Sequence, residues 1–444
     1  MYHGEAGSGP QALKPALDAK ARRRVPRTVV LIGVVSMLTD VSAEMVASVL
    51  PIYLFMVLRL SPLEYGFVDG LFNGSAAVVR LVFAHWADRT QGHKRIAFLG
   101  YAMSAVSRLG LFVAGLGGWI SVAIVLLLDR IGKGIRTAPR DAMIAQASDR
   151  ATLGASFGVH RALDAVGALV GPLIATGLLL WLPGRFDAVF ALSVVFALAG
   201  LWVLWRWVQP ASRLAPPTVE DAPDTGPSRA AGRLAWGWVR GLAENVRAVS
   251  TAPFVALCAC CTALAAFTVS DNMVYLGVQQ KAGFAAAYLP MMFVATAATF
   301  MLLAVPLGRL ADRVGPLRIF AAGHGALIVM YSLIGFDALP VAWVPAVTVL
   351  LLGLYYAATD GVVMALLARN LPDTVRATGM AVMTSLVSVA RMGASVLFGW
   401  VWTELSHEVA VAAFACGLAL ALALTVVVMR RWAAGLAQSA PLRP

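Results

Sequence analysis

The most informative stretch of the chain is Leu128-Asp129-Arg130-Ile131-Gly132-Lys133-Gly134-Ile135-Arg136-Thr137-Ala138-Pro139-Arg140-Asp141. It continues an apolar run that begins at Trp119, which predicts a helix. A spacing of i, i+4, i+7 and i+11 places four charged residues on one helix face, namely Asp129, Lys133, Arg136 and Arg140. A charge at the centre of a bilayer costs about 2.5–3.5 kcal/mol on insertion scales, so we expect this face to contact protein or an aqueous cavity. The alternative, side chains that reach the headgroups from a helix end, fits Arg140 and Arg136 better than the deeper residues.

The composition is that of a membrane protein. Hydrophobic residues make up 60% of the chain, charged residues only 13%, and the mean hydropathy is +0.79. Twelve apolar segments are long enough to cross a bilayer, and they begin near residues 29, 65, 96, 119, 155, 186, 253, 285, 317, 341, 376 and 408. The segments are long and do not alternate, which indicates helices rather than barrel strands. We therefore predict an all-α membrane protein with twelve transmembrane helices in two pseudo-symmetric six-helix bundles.

The basic residues predict the orientation of the chain. The net charge is +12, but most Lys and Arg residues fall on one side of the predicted spans, together with both termini and the middle loop. The positive-inside rule then places the N and C termini in the cytoplasm, which requires an even number of spans. We predict a multi-pass protein of the bacterial inner (plasma) membrane. Because topology accounts for the positive charge, we expect no nucleic acid partner.

Five regions follow from the predicted spans. They are a basic cytoplasmic tail at 1–28, an N-terminal six-helix bundle at 29–208, a proline-rich cytoplasmic linker at 209–252, a C-terminal six-helix bundle at 253–431 and a tail at 432–444. The tail at 1–28 is polar and lacks the apolar core and cleavage site of a signal peptide. Two landmarks of the first bundle recur in the second at nearly equal separations: 84–92 recurs at 308–315, and 150–154 recurs at 376–379. Matched landmarks indicate a duplicated six-helix unit.

Several of these motifs resemble the major facilitator superfamily of transporters. Ala87-Asp88-Arg89 with Lys94-Arg95 is similar to the cytoplasmic loop signature of that superfamily, and Gly308 to Gly315 is a second copy. Arg130-Ile131-Gly132-Lys133-Gly134 looks like the motif of the fourth helix, with Lys133 where Gln is usual. Gly167-x-x-x-Gly171-Pro172 resembles the fifth-helix motif of antiporters. The region from Asp40 to Pro51 is similar to that of twelve-helix, proton-coupled drug antiporters.

The resemblance implies alternating access, in which one half rocks against the other around a site near the membrane midplane. It implies proton coupling for Arg130, and conformational switching for Asp88, Arg89, Arg95, Asp312 and Arg313. Gly167 and Gly171 have the small-xxx-small spacing that lets two helices approach closely, and Pro172 then loosens the backbone. The expected protein is a monomer in a lipid bilayer that moves a small-molecule substrate and protons without a cofactor.

Proton coupling requires a carboxylate or histidine that exchanges its proton as the cavity opens to each side. Asp40 and Glu44 lie one turn apart, well inside the first predicted span, and are the candidates. A carboxylate that moves between a dry and a cation-rich environment changes its pKa and can carry a proton. The alternative is a permanent ion pair with Arg108, Arg130 or Arg136.

Other charged residues inside the predicted spans are candidates for the substrate cavity: Arg108, Lys133, Arg136, Asp164, Asp271, Asp360 and Arg391. Arg161 and Asp164 lie three residues apart on a helix, and we expect them to pair with each other. Cations and anions are both numerous, so the charge of the substrate stays open.

We predict a proton-coupled exporter of a small organic molecule. One alternative is an importer of an anionic metabolite or metal chelate, in which Lys133, Arg136 and Arg391 converge unpaired on the cavity. Another is a transporter-shaped sensor or lipid-handling protein. Nothing resembles a nucleotide-binding loop or a spaced nucleophile and base, so we do not expect an enzyme. The four cysteines have no neighbouring His or acidic residue that would indicate a metal site.

Overall fold

A computed structural model describes residues 25–72, 74–75, 93–114, 117–148, 153–209, 246–247, 249–335, 339–371 and 376–439. All regular structure in these ranges is helical. Nine helices within them are long and apolar enough to cross a membrane. Three predicted spans are not among the nine, because one is described only in part, one carries the charged stripe and one is interrupted. The prediction of a helical membrane protein is confirmed; twelve spans and cytoplasmic termini stay predictions.

Six helices make up the N-terminal half. They are α1 (Arg27–Ile52), α2 (62–72), α3 (His93–Ala114), α4 (Gly118–Ala147), α5 (Leu153–Trp181) and α6 (Phe186–Arg206). Pro51 lies at the end of α1, and the chain continues as a π-helical turn, Tyr53–Val57. A proline removes one helical hydrogen bond, and such wide turns commonly accommodate the resulting irregularity.

Seven helices make up the C-terminal half. They are α7 (Ala252–Ala265), α8 (Asp271–Ala282), α9 (Leu289–Val314), α10 (Pro316–Gly335), α11 (Val344–Asn370), α12 (Arg376–Glu404) and α13 (His407–Ser439). Helix α13 continues to Ser439, past the predicted boundary at residue 431, so most of the predicted C-terminal tail is helical.

The seventh predicted span is two helices rather than one. Helix α7 ends at Ala265, and the next five residues leave the helical path before Ser270 caps α8 by accepting a hydrogen bond from the Met273 amide. The amide of Val269 in this break donates to the Tyr331 hydroxyl at 2.8 Å, which satisfies a buried backbone group that the helix no longer pairs. The break therefore brings a non-helical backbone into the interior of the C-terminal half.

The two halves repeat one packing pattern. In the N-terminal half α1 packs against α5 and α6, and α3 packs against α4 and α6. In the C-terminal half α7 packs against α12 and α13, and α10 packs against α11 and α13. These pairs connect corresponding helices in chain order, which is the packing expected of a duplicated unit.

The halves meet on the side predicted to face away from the cytoplasm. There α2 packs against α12: a Cβ built at Gly70 would lie 2.8 Å from the Met392 carbonyl oxygen, and the Leu63 amide donates to Thr403 Oγ1 at 3.0 Å. Helix α8 also contacts α1, and α9 contacts α5. We call the α2–α12 packing, from residues 62–70 to residues 392–403, the outer contact.

Candidate functional site

The charged face of α4 is buried against α3. Asp129 lies 3.0 Å from the Arg108 guanidinium and 2.7 Å from that of Arg130, so one carboxylate serves two cations. A Cβ built at Gly100 would lie 2.7 Å from the Gly132 carbonyl oxygen, which shows how closely the two helices cross. Because glycine permits this approach, Arg108 on α3 reaches the carboxylate on α4. We call Arg108, Asp129 and Arg130 the charge triad.

Arg136 lies inside the protein and does not reach the headgroups. Its residue is only 3% exposed, its guanidinium donates to Ser104 Oγ at 2.9 Å and it stacks on the Tyr101 ring. Its nearest carboxylate is Asp40 on α1, at 3.9 Å. The prediction that the face of α4 contacts protein therefore holds for this residue, and the alternative of a headgroup contact is wrong for it.

The next turn of α4 reaches α5. Arg140 lies 2.9 Å from Asp141 and 4.0 Å from Asp164, and His160 Nε2 lies 3.3 Å from the same Asp164 carboxylate. Arg161 is exposed and forms no ion pair with Asp164 in the described residues, so the predicted pair is wrong. Side chains three apart on a helix can meet, but here the neighbouring helix supplies a cation, Arg140, and His160 one turn away also contacts Asp164.

Two glycines let α5 pack closely against the turn of α1 that carries Asp40 and Glu44, which we call the acidic turn. A Cβ at Gly167 would lie 2.6 Å from the Met37 carbonyl oxygen and 3.1 Å from the Asp40 Cβ. A Cβ at Gly171 would lie 2.7 Å from the Val41 carbonyl oxygen and 3.0 Å from the Glu44 Cβ. Pro172 follows within the same helix. The small residues thus lie where α5 passes the two predicted proton-coupling carboxylates.

A cavity of about 340 Å³ lies between the two halves, and we call it the central cavity. The N-terminal half contributes Glu44, Ala47, Phe72 and Arg130. The C-terminal half contributes the break between α7 and α8 (residues 268–270) together with Asp271, Asn272, Phe293, Tyr356, Ser388, Arg391 and Ser395. Its volume is at the small end of the range of about 300–1,000 Å³ that is usual for ligand pockets, and polar groups from both halves converge on it.

Glu44 and Lys133 lack strong partners. Neither side chain has a hydrogen bond or an ion pair within the described parts of the chain. The opposite charges of Glu44 and Lys133 nevertheless attract each other beyond ion-pair distance. Lys133 is half-buried but does not line the central cavity. Glu44 does line it.

Two tyrosines form hydrogen bonds with charged residues on the C-terminal side of the site. The Tyr356 hydroxyl donates to Asp271 at 2.6 Å, and Arg391 donates to the Tyr355 hydroxyl at 2.9 Å. Asp360 lines a second cavity of about 230 Å³ within the C-terminal half, which we call the side cavity. Arg391 and Ser388 line both cavities, so the two spaces share a wall.

The predicted cavity residues thus divide into three groups. Asp271 and Arg391 line the central cavity, as do Glu44 and Arg130 from the proton-coupling set. Four predicted cavity residues of the N-terminal half do not line the central cavity, namely Arg108, Lys133, Arg136 and Asp164, and Asp360 lines the side cavity instead.

Sequence reasoning missed Asp69 as a site residue. This aspartate of α2 is 3% exposed and accepts hydrogen bonds from two residues of the other half, Asn272 at 2.6 Å and Ser395 at 2.9 Å. Both partners line the central cavity. The available signal was an ionisable residue within an apolar span, which is a functional candidate by default.

The predicted switch residues lie at helix ends. Asp312 and Arg313 are exposed in the last turn of α9, before Gly315 with a φ of 101°. Arg95 is exposed in the first turn of α3. Asp88 and Arg89 lie outside the described residues. Conformational switching by these residues stays a prediction.

Comparison with known proteins identifies a family and relatives of this chain. The family model of the Major Facilitator Superfamily matches residues 32–395. An uncharacterised MFS-type transporter of Methanocaldococcus jannaschii is 25% identical over 393 residues, which cover 86% of this chain and 89% of the relative. An uncharacterised protein of Mycobacterium tuberculosis is 34% identical over 168 residues, 38% of this chain and 39% of the relative.

Solved structures share the fold. A mutant of the nucleoside transporter NupG superposes with a TM-score of 0.70 at 11% identity, over 90% of this chain and 99% of that one. A mutant of the peptide transporter POT superposes with a TM-score of 0.72 at 13% identity, over 91% of this chain and 95% of that one. At such low identity the likeness concerns the helical architecture.

Proposed function

Since the chain belongs to the Major Facilitator Superfamily and is a transporter rather than an enzyme, we propose that it is a proton-coupled exporter of a small organic molecule. The single observation that carries the proposal is the central cavity, where ionisable residues of both halves meet between two copies of one helical unit. A site at the interface of structural repeats can be opened to either side by rocking one half against the other.

Proton coupling is assigned to the acidic turn of α1. Glu44 lines the cavity without a hydrogen bond or ion pair in the described residues, so a proton or a substrate can reach its carboxylate. Asp40 faces Arg136 at 3.9 Å, a distance that a small movement would change. Arg130 joins this turn to the charge triad, because it lines the cavity and also contacts Asp129. These contacts favour Glu44 as the group that exchanges the proton and Asp40 as its neighbour in the same network.

The outer contact is assigned to the gate on the periplasmic side. Asp69 ties α2 to both α8 and α12, so the halves cannot separate there without breaking two hydrogen bonds to a buried carboxylate. With the predicted orientation, the described contacts correspond to an outward-closed state. Asp88, Arg89, Arg95, Asp312 and Arg313 are assigned to the opposite, cytoplasmic gate on the strength of the resemblance.

The proposed direction of transport, export, is supported by the resemblance of the α5 motif to that of antiporters. Gly167, Gly171 and Pro172 resemble the pattern associated with antiporters, and the two glycines lie against Asp40 and Glu44, where antiport would exchange protons for substrate. The import alternative required Lys133, Arg136 and Arg391 to converge unpaired on the cavity. Only Arg391 lines it, and Arg136 is engaged by Asp40 and Ser104, so export remains the preferred direction.

Proton movement in inside-out vesicles tests this function. An acid-inside gradient is established, and panels of lipophilic cations and of organic anions are added in turn. We expect one panel to collapse the gradient in the wild-type protein. In Glu44→Gln we expect the same panel to leave the gradient intact. Asp187→Asn is the matched control, because Asp187 pairs with Arg185 on the exposed surface away from the cavity. A Glu44→Gln variant that couples protons fully would remove Glu44 from the mechanism, and silence with both panels would contradict proton-driven export.

A further inference from the structure

Arg391 of α12 lines the central cavity without a carboxylate partner. Its guanidinium donates to the neutral Tyr355 hydroxyl, and its Nε is buried without a hydrogen-bond partner. No carboxylate of the described residues lies within ion-pair distance of it. A guanidinium carries five donors in a planar fork that fits a carboxylate or phosphate, so an arginine that lines a cavity without a carboxylate partner favours an anionic group there.

Arg130 of α4 lines the same cavity from the other half. One of its terminal nitrogens contacts Asp129, its face lies on the Phe72 ring at 3.9 Å, and its Nε is buried without a partner. Arg108 also contacts Asp129, so two guanidiniums share one carboxylate and the charge triad keeps an excess positive charge. The aromatic ring and the carboxylate fix the orientation of Arg130 and leave part of its donor fork available.

The carboxylates of the cavity are placed differently. Asp271 already accepts a 2.6 Å hydrogen bond from Tyr356, which occupies part of its acceptor capacity. Glu44 is attracted electrostatically by Lys133, which does not line the cavity. Asp271 therefore has a hydrogen-bond donor beside it and Glu44 has none in the described residues, whereas the two arginines carry buried N–H groups with no acceptor there.

We propose that the central cavity binds a small organic acid whose carboxylate, phosphonate or sulfonate is held between Arg130 and Arg391. This inference rests on the proposed transport function and names the class of its substrate. Because the two arginines belong to opposite halves, a bound acid would join the halves, so occupancy would favour closure around the substrate. A cation held between the same two residues would be repelled by both guanidiniums, so this position favours an anion.

The charge preference of the cavity can be measured without knowing the substrate. In full-length protein whose four native cysteines are replaced by serine, Ser388→Cys or Ala47→Cys places one thiol in the cavity wall. Labelling rates are compared for a negatively charged and a positively charged methanethiosulfonate reagent of similar size, each normalised to a free thiol. We expect the negative reagent to react faster at both positions.

Arginine variants then test the assignment. Arg391→Gln should lower the ratio of negative to positive labelling about seven- to fiftyfold, because removing one unit charge about 7 Å away at an effective dielectric of about 40–80 slows the negative reagent about three- to sevenfold and accelerates the positive reagent by the same factor. Arg130→Lys, which keeps the charge but not the fork, should leave the ratio nearly unchanged. Arg185→Gln, on the exposed surface, is the matched control and should not change it. A ratio at or below one, or a ratio that Arg391→Gln leaves unchanged at both thiols, would overturn the inference.

Ligand binding separates this inference from the proposed function. Thermal unfolding of the purified wild-type protein is measured with benzoate, phenylphosphonate and glutarate, and with tetraphenylphosphonium and benzyltrimethylammonium. We expect saturable stabilisation by at least one acid, lost in Arg391→Gln and weakened at least tenfold in Arg130→Lys. Acid binding without proton-driven transport would support the inference while counting against proton coupling. Stabilisation by the cations alone, or by no acid, would overturn the inference even if transport is proton-driven.

Discussion

Replacing Asp69 with alanine should loosen the outer contact. The carboxylate is buried and accepts two short hydrogen bonds from the other half, from Asn272 and Ser395. Hydrogen bonds to charged groups contribute about 1.5–3 kcal/mol each, and the lower figure applies because the open state returns these groups to water. Losing both costs the outward-closed state about 3 kcal/mol, which raises the ratio of open to closed molecules roughly 10²-fold. Asp69→Asn can keep two neutral bonds of about 1 kcal/mol each, so its effect should be only about fivefold.

The assay follows a thiol behind the gate. Ser388→Cys, in a chain without native cysteines, lines the central cavity and is labelled by a membrane-impermeant maleimide added outside intact cells. When the gate opens and closes faster than labelling, the rate is proportional to the open population. Labelling should accelerate strongly in Asp69→Ala, weakly in Asp69→Asn and not at all in the surface control Asp187→Asn. Equal rates in Asp69→Ala and the parent would refute a role of Asp69 in closing the outer side.

Two further predictions concern stability. Gly171→Ala should lower the melting temperature, since its Cβ would lie 2.7 Å from the Val41 carbonyl oxygen and overpacking of this kind costs about 1–3 kcal/mol. Gly177→Ala is the control, because its Cβ would meet nothing within 4 Å. Equal melting temperatures for the two variants would contradict the close α1–α5 contact. Asp129→Ala should sharply reduce the yield of folded protein in fluorescence-detected size-exclusion chromatography, because it leaves Arg108 and Arg130 buried without their carboxylate at a cost of about 3–5 kcal/mol. An unchanged yield would show that the charge triad does not stabilise the fold.

The sequence predicted features that depend on helical period. The stripe on α4 followed from spacing alone, and Asp129 and Arg136 are indeed buried in protein contacts. The superfamily prediction is confirmed by the family model. The sequence could predict it because the motifs of the superfamily are local and repeat in both halves. The placement of Gly167 against α1 also agrees with a small-residue spacing that a single helix can display.

Features that depend on tertiary packing could not be read in the same way. The break before α8 lies in an apolar run without glycine or proline, and its one signal is the Ser270-Asp271 cap. Asp69 and Asn272 are 203 residues apart, so no local pattern connects them. Asp360 was expected in the substrate cavity but lines the side cavity, since the period of a helix predicts its face and not the space that this face lines.

A reversible clamp across the outer contact tests alternating access most directly. Leu63→Cys and Thr403→Cys, in a chain without native cysteines, replace two residues already joined by a 3.0 Å hydrogen bond between α2 and α12. Substrate-driven proton flux in proteoliposomes is measured after oxidation and again after reduction. If the halves must part at the outer contact in every cycle, oxidation abolishes the flux and reduction restores it. Full flux through a completely cross-linked protein would contradict the account.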